Sequence, residues 1–211
     1  MARPTTPLLS RELIVDTAVS IIDAEGTEAL SMRRLASALG VRSPSIYHHF
    51  RNKDEILGAL VDGIHDSIDL TQAGPDWETA LTSYAHQLRA ALIEHPHVVE
   101  FLALRPVTKD AGLRIYEHMI ATLMRAGWTV TFSRDVTIAV ENLVYGAALM
   151  ANAPDIELTA DLRARYPTLA RFADQPPHER PDDGFQTGFH ALLDGLRQAR
   201  PVTRAGRGRA R

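Results

Sequence analysis

The chain contains no cysteine, so disulfides, thiolate metal sites, iron–sulfur clusters and cysteine nucleophiles are excluded together. It also lacks a long apolar run. The longest stretch without charge, Asn142 to Pro154, has 13 residues, too few to cross a bilayer. Near the N-terminus, apolar Leu13–Ile22 is interrupted by Asp16, Thr17 and Ser20, a pattern of one helix face rather than of an export signal. No membrane partner is therefore expected, and the protein reads as cytoplasmic. Alternating apolar and polar residues, the mark of strands, are missing as well. No glycine-rich phosphate loop, nucleophile elbow or paired metal motif is present, which leaves no cofactor to expect and little support for an enzyme.

What is there is ordinary in amount and uneven in placement. Of 211 residues, 45% are hydrophobic and 23% charged, as in globular domains. The net charge of −3 hides two basic blocks. Arg33, Arg34, Arg42, Arg51 and Lys53 fall between Ser31 and Lys53 with no acid among them, and six arginines follow from Arg197 to Arg211, again without an acid. Arginine outnumbers lysine 21 to 2.

Helical periodicity and caps divide the chain into an all-α series. Ser10 is placed to cap a first helix to about Ala24, with Ile14, Ala18 and Ile21 recurring at helical spacing before Gly26. Ser31 caps Met32–Leu39, closed by Gly40, and Ser43 is expected to cap a third helix opened by Pro44. Asn52 caps the next, whose stripe is Leu57, Leu60, Val61, Ile64 and Ile68. Beyond Gly74-Pro75, helices are expected from Asp76 to Pro96, over Val98–Leu104, Lys109–Arg125 and Phe132–Asn152, and from Phe185 to about Ala199. Leu158–Ala173 is expected to be helical unless Pro167 breaks it, Asp174–Gly184 is a loop, and Pro201–Arg211 a disordered tail.

Met32–Phe50 meets the geometric demands of a helix-turn-helix. Leu35, Leu39, Val41 and Ile46 point inward, Ala36 is small where two helices nearly touch, and Gly40 supplies the turn. The outward face then carries Arg42, Ser43, Ser45, Tyr47, His48 and His49, suited to base edges and phosphates in a major groove. Arg33 enters from the preceding helix, and Lys53 stands at the N-terminus of the following one, where free N–H groups favour a phosphate.

Farther on, polar residues set among apolar ones mark cavity walls. Tyr84, His86, Arg105, Tyr116, His118, Glu141, Asn142 and Tyr145 are candidate ligand contacts, with Leu88, Phe101, Met119 and Trp128 supplying area. Phe132–Asn152, with Gly146, Ala147 and Ala148, and Phe185–Ala199, with Gly188 and Gly195, combine apolar stripes with small residues, so they are expected to form a four-helix dimer interface. Glu94 and His95-x-His97 hint at a metal, but Pro96 splits the pair and no second cluster accompanies it, so no metal site is expected.

The run TEALSMRRLASALGVRSPSIYHHFRNKDEIL, Thr27–Leu57, with its Leu-Gly-Val turn and its Tyr47-x-x-Phe50-x-Asn52-Lys53 ending, resembles the DNA-binding domain of the TetR family of bacterial transcriptional regulators. Trp77, Leu88–Leu92, His95, Arg105-Pro106 and Phe185–Leu196 are similar in order and spacing to the ligand and dimer domain of the tetracycline repressor group. The resemblance implies an N-terminal three-helix DNA-binding domain (residues 1–54), a helical ligand-binding and dimerisation domain (55–200) and an arginine-rich tail (201–211). It implies a homodimer on a palindromic double-stranded DNA operator, with contacts from Met32, Arg33, Arg42, Ser43, Pro44, Ser45, Tyr47, His48, His49 and Lys53. It also implies a repressor released by a small-molecule effector through movement of a hinge helix, Asp54–Asp69. One position departs: the histidine that helps hold magnesium-bound drug in tetracycline repressors falls near Phe101, which ligates no metal. Two other readings fit the residues less well, an all-α enzyme on an apolar substrate using His118 with Glu117 or Tyr116, and a small-molecule-sequestering protein whose helix-turn-helix has lost its DNA function.

Overall fold

The computed structural model describes residues 9–151, 156–175 and 184–199, with the side chain of Glu100 excepted. Among these residues every regular element is helical. The head comprises α1 (Arg11–Glu25), α2 (Met32–Ala38) and α3 (Ser43–Tyr47), and α4 (Lys53–Asp66) leads out of it. Then come α5 (Trp77–Glu94), α6 (Val99–Ala103), α7 (Asp110–Arg125), α8 (Val130–Met150), the short α9 (Ala160–Arg165) and α10 (Pro167–Ala173), and α11 (Gly184–Gln198).

Local chemistry sets most boundaries. The side chains of Ser10, Ser31, Asn52 and Asp76 accept from the backbone N–H of Leu13, Arg34, Glu55 and Thr79 at 2.9–3.1 Å, each satisfying a donor the helix leaves free. Glu55 answers Asn52 by accepting from the Arg51 N–H at 2.7 Å. Gly40 ends α2 at φ +65°, a conformation that side chains disfavour. Two expectations are corrected. Ser43 does not cap α3: Arg42 occupies the cap without a side-chain bond, and Ser43 is already helical with Pro44 beside it. The long eighth helix begins two residues early, at Val130, because Thr129 caps it. Pro167 does divide its segment, since Tyr166 leaves helical geometry and the proline opens α10. The tail, and most of the Asp174–Gly184 loop, lie outside the described residues.

Every member of the predicted α4 stripe is buried, Leu57, Leu60, Val61, Ile64 and Ile68 alike, and α4 packs on α1, α5 and α7. Helix α8 is the centre of the second domain, touching α5, α6, α7 and α11. The stripe expected at the dimer face is mostly internal: Phe185, Phe189 and Leu196 are buried within the chain, with His86 edge-on to both phenyl rings, while Leu192 is half-buried. On the same helices Gly188 lies so near Leu143 that an added Cβ would sit 3.1 Å from its Cδ2.

Candidate DNA interface and ligand cavity

The head presents one acid-free face. Burial of Leu35, Ala36, Ile46 and Phe50 fixes the roll of α2 and α3, and that roll decides which side chains look outward. Arg33, Arg42, Pro44, Tyr47 and His48 are exposed, and Met32, Ser43, Ser45, His49 and Lys53 half-buried. Arg34 is taken out of play by Glu25, at 2.5 Å, whereas no ion pair among the described residues engages Arg33 or Arg42. Tyr47 keeps 52% of its surface open, a large aromatic exposure for a head with no need of it in its own core. Lys53 behaves differently from its expected freedom: its Nζ donates to the Thr27 carbonyl at 2.7 Å, which fixes the ammonium beside the turn after α1 and leaves two further donors.

A residue the sequence reading passed over completes this surface. Arg11 lies 3.9 Å above the Phe50 ring and donates to the His49 carbonyl, with Glu55 at 3.8 Å. It thus ties the start of α1 to the end of the reading helix. An arginine one residue after a helix cap gives no sequence signal of such a role.

The second site is a cavity of about 150 Å³ between α4, the loop after α6, α7 and α8. Arg105, Tyr116, Glu141 and Tyr145 line it, and Tyr84, behind the wall, donates its hydroxyl to Glu141. The other wall belongs to residues the sequence reading missed: Gly58, Val61, Asp62 and His65 from α4, and Val107 to Lys109 from the loop. Positions 58, 61, 62 and 65 share one helical face of α4, which becomes a wall only where the loop before α7 meets it. Gly112 permits the tight fit of that wall, because a Cβ there would lie 2.6 Å from Val107 Cγ1 and 3.2 Å from His65 Nδ1.

The remaining ligand candidates are not brought to this cavity. Leu88 and Met119 are core. Trp128 packs edge-on against Trp77, with centroids 5.1 Å apart. His86 is exposed beside α11, and Asn142 is exposed. His118 faces a shallow outer groove with Leu70, Glu117 and Arg125, away from Tyr116 in the cavity, so the His118–Tyr116 pair of the enzyme reading does not form one centre, whereas Glu117 shares the groove with His118. Phe101 lies in a separate groove with Lys53, Asp54 and Leu57.

Glu141 dominates the cavity electrostatics. It is 6% exposed and accepts from Tyr84 at 2.7 Å and Tyr116 at 2.5 Å. Burial drives its carboxyl above the usual range, and the two tyrosine bonds only partly oppose this. Burial likewise raises Tyr84, Tyr116 and Tyr145, reinforced by the carboxylate, and it pushes the His65 imidazole down despite Asp62 and Asp66 nearby. Arg105 connects the cavity to the head: it lines the wall, pairs with Asp54 Oδ1 at 3.4 Å and stands 4.0 Å over the Phe101 ring. A second set of contacts joins the two domains at the far end of α1, His95 to Asp23 at 2.9 Å and Thr27 to the His97 carbonyl at 3.0 Å. His95 is therefore a partner of the head rather than half of a metal pair, and no group of metal-holding side chains occurs among the described residues. Among the described residues no helix is long and apolar enough to cross a membrane.

Comparison with known proteins gives the family. Residues 14–60 match the family model for bacterial regulatory proteins of the tetR family, and residues 70–200 match that for the tetracyclin repressor-like C-terminal domain. An HTH-type transcriptional regulator of Saccharopolyspora erythraea is 32% identical over 68% of this chain and 61% of its own length. A class A tetracycline repressor of Escherichia coli is 28% identical over 93% of this chain and 94% of its own. Among solved structures, a possible TetR family regulator from Streptomyces coelicolor superposes with a TM-score of 0.74 at 25% identity, over 90% of this chain and all of that one. A BioQ protein solved with its double-stranded DNA operator shares the fold, with a TM-score of 0.65 at 24% identity over 91% of this chain and 100% of its own. These relatives are named as regulators and repressors, not enzymes. A basic helix-turn-helix head, a helical domain with a cavity and matches along nearly the whole chain place this protein in the TetR family of bacterial transcriptional regulators.

Proposed function

We propose that the chain works in the cytoplasm as a homodimeric repressor, released from a palindromic operator by a small molecule held in the cavity beside Glu141. The observation that carries this reading is Arg105, one side chain that lines the cavity and grips Asp54 in the first turn of α4. In the DNA-bound state each α3 enters a major groove. Arg33, Arg42, Ser43, Ser45, Tyr47, His48 and His49 reach base edges and phosphates, Met32 and Pro44 supply apolar contact, and Lys53 anchors the backbone. Residues 1–54 act as the reading unit, 55–200 as the ligand and dimer unit. The dimer face uses α8 and α11, where Leu143, Ala147 and Leu192 are half-buried in the single chain.

A ligand changes DNA affinity only if it binds two arrangements of the chain unequally. The α4 wall of the cavity, Gly58 to His65, supplies that difference, since displacing this face turns α4 and, through Asp54 and Lys53, the head. The test is a compound screen for loss of operator binding, repeated on Arg105→Ala. The expected result is that Arg105→Ala still binds operator but needs at least ~5-fold more compound for release, the lower end of usual coupling energies. Release at unchanged compound concentration would remove Arg105, and with it this route, from the account.

A further inference from the structure

Glu141 is a buried carboxylate with hydrogen bonds but no countercharge. Two tyrosine hydroxyls occupy part of its acceptor capacity, and no cationic side chain among the described residues lies within ion-pair distance of it. Removing an ionised carboxylate from water without a counter-ion is costly. Apolar side chains fit a buried position without that cost, and α8 carries them on the same face at Val136, Val140 and Val144. An acid retained at the cavity wall therefore asks for a partner that arrives from outside.

The other cavity charges do not fill that role. Arg105 is committed to Asp54 and to the Phe101 ring. Lys109 is exposed. His65 is held toward its neutral form by burial, and Asp62 adds a second negative charge to the lining. An anionic ligand would meet Glu141 as a like charge. We propose that the cavity takes a small organic cation, a protonated or quaternary amine on an apolar body, with Glu141 as its counter-ion and the rings of Tyr116 and Tyr145 as its walls. Aromatic rings attract such cations through their quadrupoles, the more so when desolvated. The size agrees: a cavity near 150 Å³ is comparable to an engineered one that admits benzene.

This assignment rests on the cavity being the effector site, and the experiment separates the two. Choline and its uncharged carbon isostere, dimethylbutanol, are titrated calorimetrically into the full chain at neutral pH, and again into Glu141→Gln and Tyr116→Phe. The expected result is at least ~10-fold tighter binding of choline than of the isostere by wild type, about 1.4 kcal/mol. Glu141→Gln should abolish that preference while still taking the isostere, and Tyr116→Phe, which keeps the ring and the acid, should retain it. Equal affinities, no detectable binding of either probe, or a preference that survives Glu141→Gln would overturn the cation assignment. Choline is then added to the operator complex. A Glu141-dependent preference without DNA release would leave the cation site standing and overturn the effector reading; release by other compounds with no cation preference would do the reverse.

Discussion

All four buried polar or charged side chains outside the tyrosines, Thr122, Ser133, Thr137 and Glu141, belong to α7 and α8 among the described residues, whereas the head is closed by Ile14, Ala18, Ile22, Leu30, Leu35, Ile46 and Phe50. The head keeps its polarity outside, where a DNA backbone and bases would meet it. The second domain keeps polarity inside, and one of the four, Glu141, lines the cavity. A surface that reads a duplex needs only a rigid support, so an apolar core serves it well. A site that encloses a small molecule must bury the groups that recognise it, and those groups strain the core that holds them.

The largest expected break in this comparison is Phe50→Ala. Phe50 is fully buried beneath Arg11, so truncation should cost about 3–5 kcal/mol. Urea denaturation should show the head melting early, with operator binding lost, while near-UV signals from Trp77 and Trp128 persist to the second transition. A single transition, lowered as a whole, would mean that the head and the second domain unfold as one core.

Next in size is Arg33→Ala, which should lose ~1–3 kcal/mol of operator affinity if the guanidinium spans a guanine and much less on random DNA. Anisotropy titrations on the two duplexes measure it, and equal losses would reassign Arg33 to phosphate. Ser10→Ala should cost ~1 kcal/mol of stability by uncapping α1, read as a lowered midpoint with an unchanged fold.

The smallest effect is the sharpest for the interior. Because the folded protein raises the Glu141 pKa, its contribution favours folding below the ordinary carboxylate value and is lost as pH rises through the folded value. Glu141→Gln should therefore gain stability relative to wild type as pH increases across that window. A difference independent of pH would mean that burial does not perturb Glu141.

The same contrast explains what could be read from sequence. Ser10, Ser31, Asn52, Gly40 and the α4 stripe act over a few residues, and the all-α head follows from them directly. Ser43 misled because a serine before proline looks like a cap, yet the chain had already turned helical at that residue. In the cavity, Arg105, Tyr116, Glu141 and Tyr145 were found as polar residues on apolar faces, but so were His86, His118 and Asn142, which point elsewhere. Nothing local distinguishes the two sets. Asp62, His65 and Lys109 become wall residues only when α4 meets the loop before α7, a juxtaposition no spacing along the chain encodes. The buried α11 stripe shows the same limit, since Phe185 and Phe189 suit an intrachain core as well as a dimer face.

The central claim is that the exposed face of α2 and α3 reads DNA sequence as a symmetric pair. Selection of bound duplexes from a random pool by the purified full chain, at moderate salt, tests it most directly. The account predicts recovery of a palindrome whose half-sites match successive major grooves, lost with Arg33→Ala. Recovery of no motif, with binding that depends only on salt, would contradict it.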